Sequence, residues 1–159
     1  MAQHTKEDLK RQVLRGAREY GFGSILFRHV IGERLGVNAT DMECLGVLLF
    51  KGFTTPSELA QYTGLSSGAT TAMLDRLEKS ALIVRRPNPY DRRSTHIVLV
   101  RETAEKLAPW FASLRSAQDQ LVSRYSEPEL ELLADFFTRS VTMWEEERNK
   151  LLQQREGPM

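Results

Sequence analysis

The chain has almost no cysteine, no long apolar run and no excess of charge of either sign. Cys44 is the single cysteine among 159 residues, which excludes an intrachain disulfide framework and any multi-cysteine zinc site. No apolar stretch approaches the ~18 residues of a membrane span. The polar opening MAQHTKEDLKRQ does not read as a secretory signal. His4, His29 and His96 are scattered, without the H-E-x-x-H spacing of a metal site. Neither a G-x-S-x-G elbow nor a phosphate loop occurs. The triplet Gly21-Phe22-Gly23 lacks the strand and the third glycine of a dinucleotide fingerprint. The expectation is a cytoplasmic protein that is not an enzyme, carries no cofactor or metal and does not enter a membrane.

What is present has the balance of an ordinary globular chain: 41% hydrophobic and 27% charged residues, enough to bury a core. The net charge of +1 says little, but its distribution is uneven. Arg76, Lys79, Arg85, Arg86, Arg92 and Arg93 crowd one region. Only a contacting face has to be positive for a nucleic acid, so a near-neutral total does not exclude one.

Periodicity predicts mainly helices. Residues from about Thr5 to Leu35 carry a helical stripe (Leu9, Val13, Leu14, Ala17, then Phe22, Ile25, Leu26, Val30). Gly16, Gly21 and Gly23 weaken it by roughly 1 kcal/mol each against alanine and suggest a kink or a close helix approach. Thr40-Asp-Met-Glu43 reads as a capping box opening a second helix, which runs to about Phe50. Thr55-Pro-Ser-Glu58 reads as another, with Pro56 at the first helical position. That helix ends before Gly64, and the next begins after Ser66. From Ala104 to about Tyr125 the pattern is helical again. Ser126-Glu-Pro-Glu129 opens a long last helix carrying Leu130, Leu133, Phe137, Val141, Trp144 and Leu151.

The stretch TPSELAQYTGLSSGATTAMLDRLEKSALIVRRPNPYDRRSTHIVLV, Thr55 to Val100, holds the functional signal. Leu59, Ala60, Gly64, Leu65, Thr70 and Met73 have the spacing of two helices joined by a tight turn. Thr70, Met73, Leu74 and Leu77 point inward, although a larger aliphatic would pack better than Thr70. Ser67, Gly68, Ala69, Thr71, Ala72 and Arg76 are left facing out. Two short strands follow, Ile83-Val84 and Ile97 to Val100, with RRPNPYDRRST between them as a basic hairpin. A helix-turn-helix with an arginine-bearing hairpin beside it is a winged helix-turn-helix, a unit that puts one helix in the DNA major groove. Small residues suit close backbone approach there. Arginine suits a narrow minor groove, and Asp91 can hold one of the hairpin arginines in place. The candidate DNA-binding residues are Ser66, Ser67, Ala69, Thr71, Ala72, Arg76, Arg86, Arg92 and Arg93, with Asp91 stabilising the wing. Arg85 lies beside Arg86 on the approach strand, where both can meet phosphates.

TDMECLGVLL, TPSELAQYTGLSSGATTAMLDRLEKSALIVRR and PYDRRSTHIVL together resemble the MarR family of bacterial and archaeal transcriptional regulators. The motifs cover about Thr40 to Leu99, and the flanking helices match by layout. The resemblance implies a triangular homodimer with interlocking terminal helices, in which Arg93 enters the minor groove and Asp91 steadies it. It also implies a small aromatic or anionic effector, or an oxidant. Three departures stand out: Ala72 where arginine is frequent, and Leu99-Val100 and Thr103 where Leu-Thr and a glycine are common.

The expected organisation is a dimerisation helix over 1–36, the winged DNA-binding region over 37–101 and dimerisation helices over 102–159. The terminal apolar faces exceed what a small winged domain covers, and a two-fold dimer would bury them. The predicted fold class is mainly α with a small β-hairpin. The predicted function is a repressor that binds double-stranded DNA as a homodimer at a pseudo-palindromic operator and is released by an effector. Arg28, His29, Tyr20 and Trp110 are candidates for an effector site, but packed or solvated roles account for each. Two alternatives are a redox sensor acting through Cys44 and a winged module that binds protein instead of DNA.

Overall fold

A computed structural model describes residues 5–89 and 94–155. The chain forms two compact units, residues 1–109 and 110–159. The first holds α1 (Lys6–Leu35), α2 (Ala39–Lys51), β1 (Phe53–Thr54), α3 (Pro56–Thr63), α4 (Ser67–Lys79), β2 (Ile83–Pro87) and β3 (Thr95–Leu99). Helix α5 (Arg101–Val122) begins there, and α6 (Glu127–Arg155) belongs to the second unit. The fold is mainly helical with a small antiparallel sheet, as expected.

Local chemistry sets most of the boundaries. Thr5 opens α1 through a capping box with Asp8, which satisfies amides that lack a helical partner. The helix then runs unbroken through Gly16, Gly21 and Gly23. No heavy atom lies within 4 Å of where a Cβ would stand at these three glycines. The close helix approach suggested by these glycines is not made among the described residues.

Helix α2 starts earlier than expected. Its N-cap is Asn38, whose side chain accepts the Asp41 amide at 2.9 Å. The box predicted at Thr40–Glu43 does not form, because Asn38 caps the helix two residues sooner and Thr40 already lies inside it. Glu43 instead accepts a hydrogen bond from Arg28 of α1 at 2.7 Å.

The next two helices follow the sequence reading. Thr55 and Glu58 form the predicted box around Pro56, Gly64 closes α3 with φ of 69°, and Ser66 caps α4. Thr70 is buried, and its hydroxyl donates to the Ser66 carbonyl at 3.0 Å. That bond satisfies the polar atom that made Thr70 look out of place.

The core of this unit gathers Leu45 and Leu48 of α2, Leu59 of α3, Met73, Leu74 and Leu77 of α4, Ile83, Ile97, and Leu107 of α5. The sheet has three strands in the order β1-β3-β2. The hairpin pairs Ile83 with Leu99 through Pro87 with Thr95. Strand β1, not anticipated, pairs Phe53 with Val98 and Thr54 with Ile97. Pro87 sits on an edge strand, where a missing amide hydrogen is tolerated.

Helix α5 starts at Arg101 and ends at Val122, about three residues before the expected limits at each end. In the second unit, the Glu129 carboxylate accepts the Ser126 amide at 2.8 Å and the Ser126 hydroxyl at 2.7 Å. The glutamate half of the predicted box is therefore present. No described side chain of α6 is buried within the chain.

One helix end carries strain. After α1, Gly36 and Val37 donate to the carbonyls of Glu33 and Gly32, with Gly36 left-handed at φ of 68°. After α4, Ala81 and Leu82 make the same pair of bonds to Glu78 and Leu77. Here Ala81 takes the left-handed position at φ of 53°, where glycine is favoured. A Cβ in that conformation costs roughly 1–2 kcal/mol. Ala81→Gly is therefore expected to stabilise the protein by about 0.5–1 kcal/mol, after glycine's greater unfolded-state freedom is offset. A chemical denaturation curve should move to a higher midpoint at unchanged slope; an unchanged or lower midpoint would contradict the strain.

Candidate nucleic-acid interface

Helix α4 divides cleanly into two faces. Thr70, Met73, Leu74 and Leu77 enter the core. Ser67, Gly68, Ala69, Thr71 and Ala72 are exposed and carry no long side chain. This face can bring its backbone close to another surface, and its polar atoms lie within one or two bonds of the helix. The hydroxyl of Ser66 accepts the Ala69 amide at 3.3 Å, and that of Thr71 donates to the Ser67 carbonyl at 3.0 Å. Each hydroxyl oxygen keeps capacity to accept a further hydrogen bond.

The arginines of this region do not act alike. Arg76 makes a two-pronged pair with Asp41 of α2: Nε to Oδ2 at 3.0 Å and Nη2 to Oδ1 at 2.5 Å. The Asp41 side chain is 3% exposed and that of Arg76 49%. Hydrogen bonding to Asp41 holds the Arg76 guanidinium above its usual pKa. Its outer side remains open to solvent, so the pair fixes the side chain without hiding it.

Arg85, on β2, turns toward α4. Its Nη2 donates to Asp75 at 2.7 Å, and its Nη1 meets Glu78. Its backbone amide donates to the same Glu78 carboxylate at 3.1 Å. This amide bond and the guanidinium hold the Glu78 carboxyl below the usual carboxylate range.

Arg86 is exposed and stands opposite His96 in the hairpin register. His96 stacks on Phe53 with ring centroids 4.5 Å apart. Asp91, Arg92 and Arg93 lie outside the described residues.

Sequence reasoning missed Asp41, Asp75 and Glu78 as partners of these arginines. For Arg85 a signal existed. It follows buried Ile83 at a spacing of two, so strand alternation puts both on the face toward the helices. Arg86 then belongs on the other face with Val84. No comparable signal ties Arg76 to Asp41, which lies 35 residues away.

Cys44 is fully buried. It lies five residues beyond Ala39, past the first turn of α2, where a helix N-terminus could lower a thiol pKa. Burial, with the charge of Asp41, pushes its thiol up to about 12. A reactive thiol needs a lowered pKa and access, and Cys44 has neither. Of the residues weighed for an effector, Arg28 bonds Ser24 and Glu43, each at 2.7 Å, and His29 lies 3.4 Å from Glu33.

The Asp41–Arg76 pair should respond unequally to removal of its two members. Arg76→Met leaves a buried carboxylate without its partner and is expected to cost about 2–3 kcal/mol. Asp41→Asn leaves a half-exposed guanidinium that water can solvate, and should cost about 1 kcal/mol or less. Urea unfolding of both variants checks the order, and equal losses would contradict it. Native protein should also resist a thiol-reactive dye at pH 8 for minutes and label promptly once unfolded. Rapid labelling of the folded protein would show that Cys44 is accessible.

Comparison with known proteins agrees with this geometry. Residues 35–94 match the model of the MarR family. The uncharacterised HTH-type transcriptional regulator YcgE of Bacillus subtilis is 32% identical over 150 residues, covering 94% of this chain and 97% of its own. The fold is that of the transcriptional regulator Tm0710 from Thermotoga maritima, with a TM-score of 0.59 at 20% identity over 87% of this chain and 98% of that one. It is also that of NadR in its crystal structure with 4-hydroxyphenylacetate, with a TM-score of 0.55 at 19% identity over 87% and 94% of the two chains. A winged helix-turn-helix with a small-residue face on α4, matched along nearly its whole length by a transcriptional regulator, belongs to the MarR family of DNA-binding transcriptional regulators.

Proposed function

We propose that this regulator is a homodimeric repressor of a pseudo-palindromic operator and is released by a small-molecule effector. The observation that carries the reading is the exposed face of α4, built from Ser67, Gly68, Ala69, Thr71 and Ala72. Such a face can lie against base edges in a major groove. Ser67 and Thr71 can bond bases or phosphates, and Ala69 or Ala72 can touch a thymine methyl. Arg76, pinned by Asp41, presents its open side to a phosphate. Arg86 and the hairpin arginines, Arg92 and Arg93, serve the backbone and the minor groove, with Asp91 steadying the tip.

Dimerisation through residues 1–36 and 102–159 is supported by apolar side chains left in solvent. On α1 these include Leu14, Phe22, Ile25 and Leu26; on α6 they include Leu132, Val141, Trp144 and Leu151. A helix as long as α6 needs a partner along its apolar side. Two-fold pairing presents two reading helices to half-sites ~34 Å apart. The NadR complex with an aromatic acid supports an effector of the small aromatic or anionic class. An effector that binds better to a dimer with altered reading-helix spacing would favour release from DNA. No described helix is long and apolar enough to cross a membrane, and a cytoplasmic location fits a protein that works on DNA.

Selection of bound sequences from random duplexes tests the reading. It should return a two-fold symmetric site with half-sites about one helical turn apart. Arg93→Ala should weaken binding to that site by ~1–3 kcal/mol, and the protein should sediment as a dimer at micromolar concentration. Recovery of no site, an asymmetric site or a strict monomer would overturn it.

A further inference from the structure

The helix proposed to enter the groove carries two carboxylates. Asp75 lies four residues beyond Thr71 and three beyond Ala72, so it continues their exposed face. Its side chain is 62% exposed. Glu78 follows on the next turn. A free carboxylate on a surface that approaches phosphates opposes binding, because like charges are brought together as solvent is excluded.

Both carboxylates meet the same cation. Arg85 reaches across from β2 and puts one guanidinium nitrogen on Asp75 and another on Glu78. Its side chain is 28% exposed, less than either partner. Its backbone amide is also engaged by Glu78. Because β2 is an edge strand, that bond covers an amide that the sheet itself would otherwise leave to solvent. Glu78 therefore holds Arg85 at two places, through its main chain and through its side chain. The strand at the root of the hairpin is fixed to the helix at one spacing.

We infer that Arg85 is a positioning residue for DNA binding and not a phosphate contact: its guanidinium neutralises Asp75 and Glu78, while its main-chain amide, bonded to Glu78, ties the hairpin root to α4. The inference rests on α4 being the groove-facing helix. It separates two adjacent arginines that look equivalent in sequence. Arg86, on the opposite face of β2, is the one available to a phosphate, while Arg85 makes the approach of α4 electrostatically tolerable.

The test compares wild-type protein, Arg85→Met and the triple variant Asp75→Asn, Glu78→Gln, Arg85→Met on the selected operator, over a range of salt. Wild-type binding is the control for the DNA-facing assignment itself, so failure of that assignment is seen separately. Arg85→Met bares two carboxylates and should weaken binding by about tenfold or more at low salt. The triple variant removes the bared charge and keeps a side-chain carbonyl at position 78 to accept the main-chain amide that ties the hairpin root. It should return to within about threefold of wild type, with the same dependence of affinity on salt, because no phosphate contact has been lost.

If Arg85 instead meets a phosphate, the triple variant stays as weak as Arg85→Met, and the salt slope falls by about one in both. That outcome overturns the inference, as does wild-type affinity in Arg85→Met. Titration at stoichiometric protein gives the active fraction of each variant. A smaller active fraction with unchanged affinity would mean that Arg85 only supports folding, and also overturns the inference. Should Arg85→Met fail to fold, the salt slope of the triple variant decides alone: equal to wild type upholds the inference, and lower by about one overturns it.

Discussion

Asp41 is a carboxylate taken almost entirely out of water, and the posture of α4 follows from what that requires. A buried charge costs several kcal/mol unless a partner and hydrogen bonds compensate it. Arg76 supplies two bonds, one to each carboxylate oxygen. The Asp41 main chain is meanwhile held by the Asn38 cap at the start of α2. The C-terminal half of α4 is thus pinned to the first turn of α2. Met73, Leu74 and Leu77 bury the side of α4 that this pairing turns inward. The opposite side, Ser67 to Ala72, is presented outward as a consequence, so the core and the ion pair together decide which residues can face a ligand.

Helix ends do the rest of the positioning. The turn between α3 and α4 is only three residues, from Gly64 to Ser66. Gly64 takes the left-handed conformation that closes α3, and Ser66 caps α4 immediately afterward. Thr70 shows how tightly this corner is built. Its side chain is buried, yet its hydroxyl returns to the Ser66 carbonyl. A polar atom that reads as a packing fault is used to hold the first turn of α4. At the other end, Ala81 accepts a strained backbone so that β2 can leave α4 at once. The abrupt exit keeps Arg85 within reach of Asp75 and Glu78.

Much of this was legible in the sequence because it is local. The Thr55–Glu58 box, Gly64, Ser66 and the buried spacing of α4 each depend on residues a few positions apart. The hairpin strands were legible for the same reason. Strand β1 was not, since two residues make no periodic pattern. The start of α2 was misplaced because Asn38 and Thr40 are both competent caps, and the earlier one is used. The family likeness was legible in residues Thr40 to Leu99. The arginine pairs were not, because they join elements whose approach is a property of the folded chain. Asp41 and Arg76 are distant in sequence, and nothing near either marks the other. Arg85 is intermediate: alternation from Ile83 gives its face, but not the two carboxylates that meet it there.

These pairs change what the basic cluster means. Six cationic residues between Arg76 and Arg93 look like a patch made for phosphate. Arg76 is directed by Asp41, and Arg85 faces Asp75 and Glu78. Lys79 and Arg86 remain exposed. The positive charge free of an internal partner is therefore smaller than the sequence count. The outward face of α4 has alanine at 72, where the family often has arginine. Its own contribution then comes from short side chains and close backbone approach, which reward shape and methyl contacts more than long-range attraction. Salt-dependent affinity would arise at the margins, on the hairpin and the last turn of α4, while discrimination between sequences would arise in the middle. On the proposed function, affinity and specificity would fall to different residues, and the internal ion pairs would keep them apart.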